Sequence, residues 1–265
     1  MRAAFITGGS SGIGFAAALQ LAAKGHDLAL FARDAAKLLD ARAALLDAAP
    51  SIDIQTYAVD VANTEAFTEA LLDATQKLGA PEIAIASAGI AQPGLFTEQP
   101  LDLHQRHMAV NYLGTLTFAH TLAGPMAAAG GGHIGFVASG AALFGIYGYG
   151  AYAPSKFALS GLGEILHLEL AAQDISVTVV YPPDTDTPQL AEEERTKPEI
   201  TKEITADGGL WQPEDVANKL IKGMLARHAA VTPGFQMTAL HRFGSLLAPL
   251  LRWHQKRIIA RYKNR

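Results

Sequence analysis

Near its start the chain reads Thr7-Gly8-Gly9-Ser10-Ser11-Gly12-Ile13-Gly14, between an apolar run at 2–7 and a helical pattern at 15–24. A strand, a glycine turn and a helix in that order constrain the fold more than any other feature of the sequence. Glycine lets backbone amides approach a pyrophosphate, and the first turn of the helix supplies positive potential to meet it. The pattern predicts a βαβ unit that holds a dinucleotide, with Thr7, Gly8, Ser10, Ser11, Gly12, Ile13 and Gly14 as its contacts. A plain tight turn is the alternative.

The rest of the chain repeats the alternation. Apolar runs at 27–32, 54–59, 83–87, 133–138 and 176–181 read as strands. The patterns at 35–49, 64–78, 103–129, 152–173 and 213–226 read as helices. Strands that are apolar throughout, rather than alternating, belong to a parallel sheet covered on both faces. The expected fold class is therefore α/β: a Rossmann-type doubly wound parallel sheet with helices on both faces. It forms a single domain over 1–235, a normal size for a 265-residue chain. The polar, proline-punctuated stretch at about 184–212 is expected to be a mobile lid loop over the site. Residues 236–265 are expected to form a basic, amphipathic C-terminal helical extension.

Composition narrows the function classes. At 49% hydrophobic and 17% charged residues, the chain is globular rather than disordered. It has no cysteine, which excludes disulfides, thiolate catalysis and cysteine metal sites, and fits a reducing compartment. No apolar run reaches the length of about 18 residues that a spanning helix needs. The first residues enter a strand at once, so no signal peptide is expected. The net charge of -4 hides an asymmetry. Arg242, Arg252, Lys256, Arg257, Arg261, Lys263 and Arg265 lie in a tail without acidic residues, so the remainder carries -11. A basic tail on an acidic body points to a local anionic partner and away from nucleic acid. Leu246, Leu247, Leu250, Leu251, Trp253, Ile258 and Ile259 interleave with those bases. Segment 241–265 then reads either as a helix on an anionic membrane surface or as one that docks on a subunit or caps the core. A cytoplasmic location with peripheral membrane attachment is expected.

Such a sheet binds ligands beyond the carboxyl ends of its strands. The second strand ends Ala32-Arg33-Asp34. An NAD-preferring site places a carboxylate there for the ribose 2′-hydroxyl, whereas the guanidinium of Arg33 suits a 2′-phosphate. NADPH/NADP is therefore the expected cofactor. Asp34 leaves a second possibility open, unless it is the N-cap of the next helix. Asp60 and Val61 follow the third strand. Asp60 reads either as a partner of the adenine amino group or as a turn residue. Ala88, Gly89 and Pro182 also follow strand ends, and Thr185 or Thr187 could bond the cofactor's carboxamide.

Tyr152-Ala-Pro-Ser-Lys156 places a phenol and an ammonium four residues apart, on one face of a helix. A phenol titrates near about 10, and a nearby cation lowers that value, making Tyr152 a usable acid. Ser139 lies after a strand and could hydrogen-bond the reacting carbonyl. Tyr147 and Tyr149 lack the lysine spacing and read as pocket lining. His104 and His107 have no third ligand at a sensible spacing; they read as surface histidines, and no metal is expected.

Thr7 to Gly14, Asn111, Ser139, Tyr152 and Lys156 together resemble the short-chain dehydrogenase/reductase family, over residues 1 to about 190. The resemblance implies an enzyme with a catalytic tetrad of Asn111, Ser139, Tyr152 and Lys156. Tyr152 would give the proton and Ser139 would orient the carbonyl. Lys156 would bind the nicotinamide ribose and tune Tyr152, and Asn111 would hold a water linked to Lys156. Taken alone, Asn111 reads equally as a structural residue that distorts a helix. The resemblance also implies a homo-oligomer, dimer or tetramer, packed through 103–129 and 152–173. Two positions depart from the family pattern. Ala86-Ser87-Ala88-Gly89 replaces Asn-Asn-Ala-Gly, and Pro182-Pro183 replaces Pro-Gly.

The second departure opens Tyr181-Pro-Pro-Asp-Thr-Asp-Thr-Pro188, followed by Ala191-Glu-Glu-Glu-Arg-Thr-Lys-Pro198. This stretch is similar to 3-ketodihydrosphingosine reductases, as are 136–158 and, more weakly, 236–240. That resemblance implies NADPH-dependent reduction of the 3-keto group of a long-chain lipid amine to dihydrosphingosine. A lid carboxylate, from Asp184, Asp186, Glu192, Glu193 or Glu194, could then meet the substrate ammonium, or these residues are simply solvated. Reduction of a 3-oxoacyl, steroid or retinoid carbonyl is the alternative. A non-catalytic NADPH-binding scaffold would not need Ser139, Tyr152 and Lys156 together.

Overall fold

The computed structural model describes residues 2–263. Arg265 and the side chain of Lys263, two of the tail's basic groups, lie outside that description. Seven parallel strands form one sheet in the order β3-β2-β1-β4-β5-β6-β7. They are β1 (Ala3–Thr7), β2 (Asp27–Ala32), β3 (Ile54–Ala58), β4 (Ile83–Ala86), β5 (Gly132–Val137), β6 (Ile175–Val180) and β7 (Ala230–Val231). The doubly wound fold expected from the alternation is the fold observed. Only β7 was not foreseen, because two residues carry no readable period.

The strand order reverses between β1 and β4, and a crevice opens there at the carboxyl ends. The register aligns those ends: Thr7 pairs with Phe31 and Ala86, Ala86 with Phe136, and Val137 with Val180. The residues that follow each strand therefore emerge on one side. On one face α1 (Gly12–Ala22), α2 (Ala35–Ala48) and α9 (Pro213–Leu225) set Leu21, Leu38, Leu45 and Leu220 against Ile6, Leu28 and Leu30. On the other, α3 (Thr64–Leu78), α5 (Gly114–Ala128) and α6 (Tyr152–Glu169) set Phe67, Leu71, Phe118 and Leu159 against Phe5, Phe31 and Phe136. Each fully buried side chain of this size stabilises by about 2 kcal/mol, which fixes helix depth and so the shape of the crevice.

Two expectations need correction. The single helix expected over 103–129 is α4 (Leu101–His107), a π turn at Met108–Leu113, and then α5. The wide turn accommodates Asn111, which is fully buried and bonded across the fold rather than along the helix. The mobile loop expected over 184–212 instead carries two helices, α7 (Pro188–Thr196) and α8 (Glu199–Thr205). Thr187 starts α7 by accepting the Leu190 amide at 3.2 Å, with Pro188 at the first helical position. Lys197, forced out of helical geometry by Pro198, ends it.

The expected C-terminal helical extension is present. α10 (Gly234–Lys263), kinked at Phe243, packs back on the domain. Met237 and Ile258 are buried, Gln255 accepts the Tyr147 amide at 3.0 Å and donates to the Gly145 carbonyl at 2.8 Å, and Arg261 pairs with Glu203. Its outer face carries the exposed Leu246, Leu250 and Trp253 beside Arg242, Arg252 and Arg257. No helix among the described residues is long and apolar enough to cross a membrane.

Candidate active site

A cavity of about 550 Å³ occupies the crevice. Its floor is the glycine loop. Gly12 has φ +54, and a Cβ on Gly14 would collide with the Gly8 carbonyl, so neither position tolerates a side chain without strain. Gly8, Ser10, Ser11, Gly12 and Ile13 line the cavity. Thr7 lies behind it, where its Oγ1 accepts the Ser87 and Ala88 amides at 3.1 and 3.0 Å and ties the loop to the end of β4. Gly14 likewise supports the loop rather than forming the wall.

At one end of the cavity Arg33 is joined by Lys37, which the sequence reading missed. Lys37 follows Arg33 by four residues, through the first turn of α2. Asp34 accepts the Ala36 and Lys37 amides at 3.0 and 3.1 Å, so its carboxylate is the N-cap of α2. Asp60 and Val61 lie on the wall. Asp60 accepts the Ala62 amide at 3.0 Å and the Arg106 guanidinium at 2.5 Å. Burial alone would raise its carboxyl, but these bonds hold it below the usual carboxylate range. Asp60 is therefore a fixed turn residue as well as a wall residue. A glycine loop at the start of α1, the cations of Arg33 and Lys37 and the apolar Val59, Val61 and Ile90 fit a phosphorylated dinucleotide.

At the other end, Tyr152 and Lys156 are buried on one face of α6. Ser139 shares a side-chain hydrogen bond with Tyr152 and accepts the Ala141 amide at 3.1 Å. Lys156 donates to the Val137 carbonyl at 2.9 Å and stands 5.7 Å from the centre of the Tyr152 ring. From its spacing alone this ammonium is expected to lower the phenol. Instead burial, followed by the Glu193 carboxylate, pushes the phenol up, against the bond to Ser139. Burial also lowers the Lys156 ammonium to about 8.

Asn111 accepts the Ile90 amide at 2.9 Å and donates to the Ile90 carbonyl at 3.0 Å and to Ser155 Oγ at 2.9 Å. It thus ties the π turn to the end of β4 and to α6. These bonds fit the structural reading of Asn111, and its Oδ1 and Lys156 Nζ both lie close to Gly89, 3.2 and 3.5 Å from where a Cβ would be. Ala88 and Gly89 line the wall between them and the glycine loop. Pro182, Thr185 and Thr187 form the lid side. Thr187 packs on the glycine loop, its Cγ2 lying 3.0 Å from where a Gly12 Cβ would be.

The lid also places Glu193 in the cavity wall, buried, accepting the Tyr149 hydroxyl and lying 3.4 Å from Lys197 Nζ. Tyr149 does not line the cavity as expected. It stands against Tyr152, ring centres 5.7 Å apart, and anchors the lid. The signal for Glu193 was present: a Thr-Pro helix start, then Leu190, Glu193 and Lys197 on one helical face. His107 is also corrected, from surface to core. It is fully buried, its Nδ1 lies 2.8 Å from the Leu103 carbonyl, and its Nε2 accepts the Gln92 amide at 3.2 Å.

The family model for short chain dehydrogenases matches residues 2–198. The chain belongs to that family. It is 41% identical over 220 residues to a Danio rerio protein named 3-dehydrosphinganine reductase, covering 82% of this chain and 66% of that one. A Bos taurus protein named 3-ketodihydrosphingosine reductase is 36% identical over the same shares. The match therefore spans slightly less than two thirds of these relatives. Among solved structures, a short-chain dehydrogenase from Sphingobium yanoikuyae in complex with NADPH is 25% identical. It superposes with a TM-score of 0.80, covering 93% of this chain and 92% of that one. Levodione reductase, at 23% identity and a TM-score of 0.82 over 90% of this chain and 98% of that one, shares the fold.

Proposed function

We propose that this chain reduces the 3-keto group of 3-ketodihydrosphingosine to dihydrosphingosine, with NADPH as reductant. One observation carries the reading: relatives named for that reaction are 36–41% identical to this chain over 82% of its length.

NADPH is preferred to NADH because Arg33 and Lys37 offer cations to a 2′-phosphate. The carboxylate that would favour a free ribose hydroxyl, Asp34, is spent on capping α2. When bound, the dihydronicotinamide supplies a hydride to the carbonyl carbon. Ser139 and Tyr152 hold the carbonyl oxygen between their hydroxyls. As negative charge gathers on that oxygen, Tyr152 Oη gives up its proton and becomes a phenolate. The raised phenol keeps that proton in place until the oxygen demands it. Lys156, on the same helical face, offsets the phenolate charge and binds the nicotinamide ribose. Asn111 fixes the end of β4 and α6 at the separation this arrangement needs.

The lipid substrate suits attachment of α10 to an anionic membrane, peripheral and on the cytoplasmic face, where a cysteine-free chain is at ease. The exposed Phe157, Ile165 and Leu168 on α6 suit a dimer or tetramer through that face.

The test is to mix the purified protein with NADPH and 3-ketodihydrosphingosine in detergent, follow absorbance and identify the lipid by mass spectrometry. Dihydrosphingosine formed faster with NADPH than with NADH supports the reading. Bound NADPH without dihydrosphingosine, and turnover instead of a 3-oxoacyl or steroid ketone, overturns it.

A further inference from the structure

We propose that Glu193 is the specificity-determining residue that selects a ketone bearing a primary ammonium on the neighbouring carbon. This rests on the reading that the substrate is an amino ketone, and it says which group of the protein recognises the amine.

Position is the first argument. A carbonyl held by Ser139 and Tyr152 carries its ammonium only two bonds from the reacting carbon. The recognising carboxylate must therefore lie beside Tyr152. Glu193 does: it shares the cavity wall with Tyr152, it is bonded to the tyrosine packed against Tyr152, and its charge acts on the Tyr152 phenol. The other lid acids are placed differently. Asp186 is exposed, Glu192 is spent on Arg195 at the surface at 3.1 Å, and Glu194 is exposed and paired with Lys197. Asp184 also lines the cavity and its charge also raises the Tyr152 phenol, but less than that of Glu193, and the tyrosine packed against Tyr152 bonds to Glu193.

Charge is the second argument. The Lys197 ammonium, 1% exposed, faces three carboxylates: Glu193, Glu194 and Asp184. That chain of contacts shows that these acids accept a primary ammonium in a buried setting. Lys202 also acts on Glu194, which leaves Glu193 and Asp184, the two acids on the cavity wall, sharing Lys197. Burial raises the carboxyls of both Glu193 and Asp184, and a neighbouring carboxylate raises each further, that of Asp184 for Glu193 and that of Glu194 for Asp184. A second ammonium, brought by the substrate, relieves that excess, whereas a neutral ketone leaves it in place. The Tyr149 hydroxyl orients the Glu193 carboxylate from behind, so the recognition is built in before substrate arrives.

The experiment compares two ketones of equal chain length in the full chain with NADPH: 3-ketodihydrosphingosine and its analogue with hydrogen in place of the amine. The variants are Glu193→Gln, which keeps a partner for Tyr149, and Glu193→Asp, which keeps the charge. The expected result is a loss of about tenfold to a hundredfold in kcat/KM for the amino ketone with Glu193→Gln, mostly in KM. Glu193→Asp restores part of it, and the ratio of amino to des-amino kcat/KM collapses towards one only in Glu193→Gln. Equal losses on both ketones make Glu193 a purely structural residue and overturn the proposal. So does a wild-type protein that shows no preference for the amine while reducing both. A wild-type protein that reduces neither, yet turns over another carbonyl, removes the substrate reading itself. NADPH binding, measured by fluorescence for each variant, separates these outcomes from misfolding.

Discussion

Lys156 Nζ donates to the backbone carbonyl of Val137 at 2.9 Å, which anchors a buried ammonium on the last residue of β5 rather than on the Tyr152 phenol. That bond satisfies one of its three donors, and burial lowers the group to about 8. The phenol moves the other way, so within the working range the group that changes charge is Lys156. In the proposed mechanism the protonated lysine is the active form, because it offsets the phenolate. Raising the pH through about 8 removes that charge. The expected profile of kcat/KM for NADPH, which reports the free enzyme, is a plateau with a single-proton fall above about pH 8. A profile flat to about pH 10 contradicts this assignment.

Tyr152→Phe removes the proton and keeps the ring against Tyr149 and Lys156. General-acid catalysis contributes about 10²- to 10⁴-fold, so kcat is expected to fall by that order. The Kd for NADPH, measured by fluorescence titration, is expected to stay within about threefold, since a phenyl ring preserves the packing. A large loss of cofactor binding instead places the hydroxyl in the cofactor site rather than at the carbonyl.

Arg33 and Lys37 share the end of the cavity away from Tyr152. Both are exposed, so each contact with a 2′-phosphate is worth about 1 kcal/mol. Arg33→Ala is expected to lower kcat/KM with NADPH about fivefold and to leave the NADH value nearly unchanged. Adding Lys37→Ala deepens the NADPH loss, and higher salt narrows the gap between wild type and variants. Steady-state kinetics with both cofactors reads this directly. Parallel losses with NADPH and NADH move these residues out of phosphate recognition.

Much of this architecture is legible in the sequence for a physical reason. Buried parallel strands must be apolar throughout, and the loops after them must be small or polar. Gly8, Ser10 to Ile13, Ser139, Tyr152 and Lys156 line the crevice, whereas Thr7 and Gly14 support the loop from behind. What the sequence hides is long-range pairing. Nothing near Asp60 announces Arg106, and nothing near Tyr149 announces Glu193. The π turn at Asn111 is hidden because its cause, bonds to Ile90 and Ser155, comes from two other elements. The lid helices were masked by composition: charge and proline in 184–212 read as loop, although Thr187-Pro188 is a helix start. The phenol illustrates the same limit in electrostatics. Spacing supplied its cation, but burial and a remote carboxylate decide its titration.

The tail yields the last prediction. Its inner face is committed to the domain through Met237, Gln255 and Ile258, so α10 is a fixed platform rather than a free arm. The outer face then presents Leu246 (79% exposed), Leu250 and Trp253 in a row, with Arg257 stacked 5.5 Å over the Trp253 ring. Exposed leucines and a tryptophan beside bases suit the boundary of an anionic bilayer. Inserting each large apolar side chain is worth about 1.5 kcal/mol, and each base near the surface adds about 1 kcal/mol. Leu250→Ser with Trp253→Ser is therefore expected to weaken sedimentation with phosphatidylserine vesicles about a hundredfold, and high salt to weaken it further. Because the substituted side chains face outward, the melting temperature should move little. Turnover of a detergent-dispersed substrate should persist while turnover of vesicle-borne substrate falls. If the wild-type chain ignores vesicles of any charge, the outer face serves contact with another subunit instead, and the same double variant should then shift the oligomeric state in light scattering.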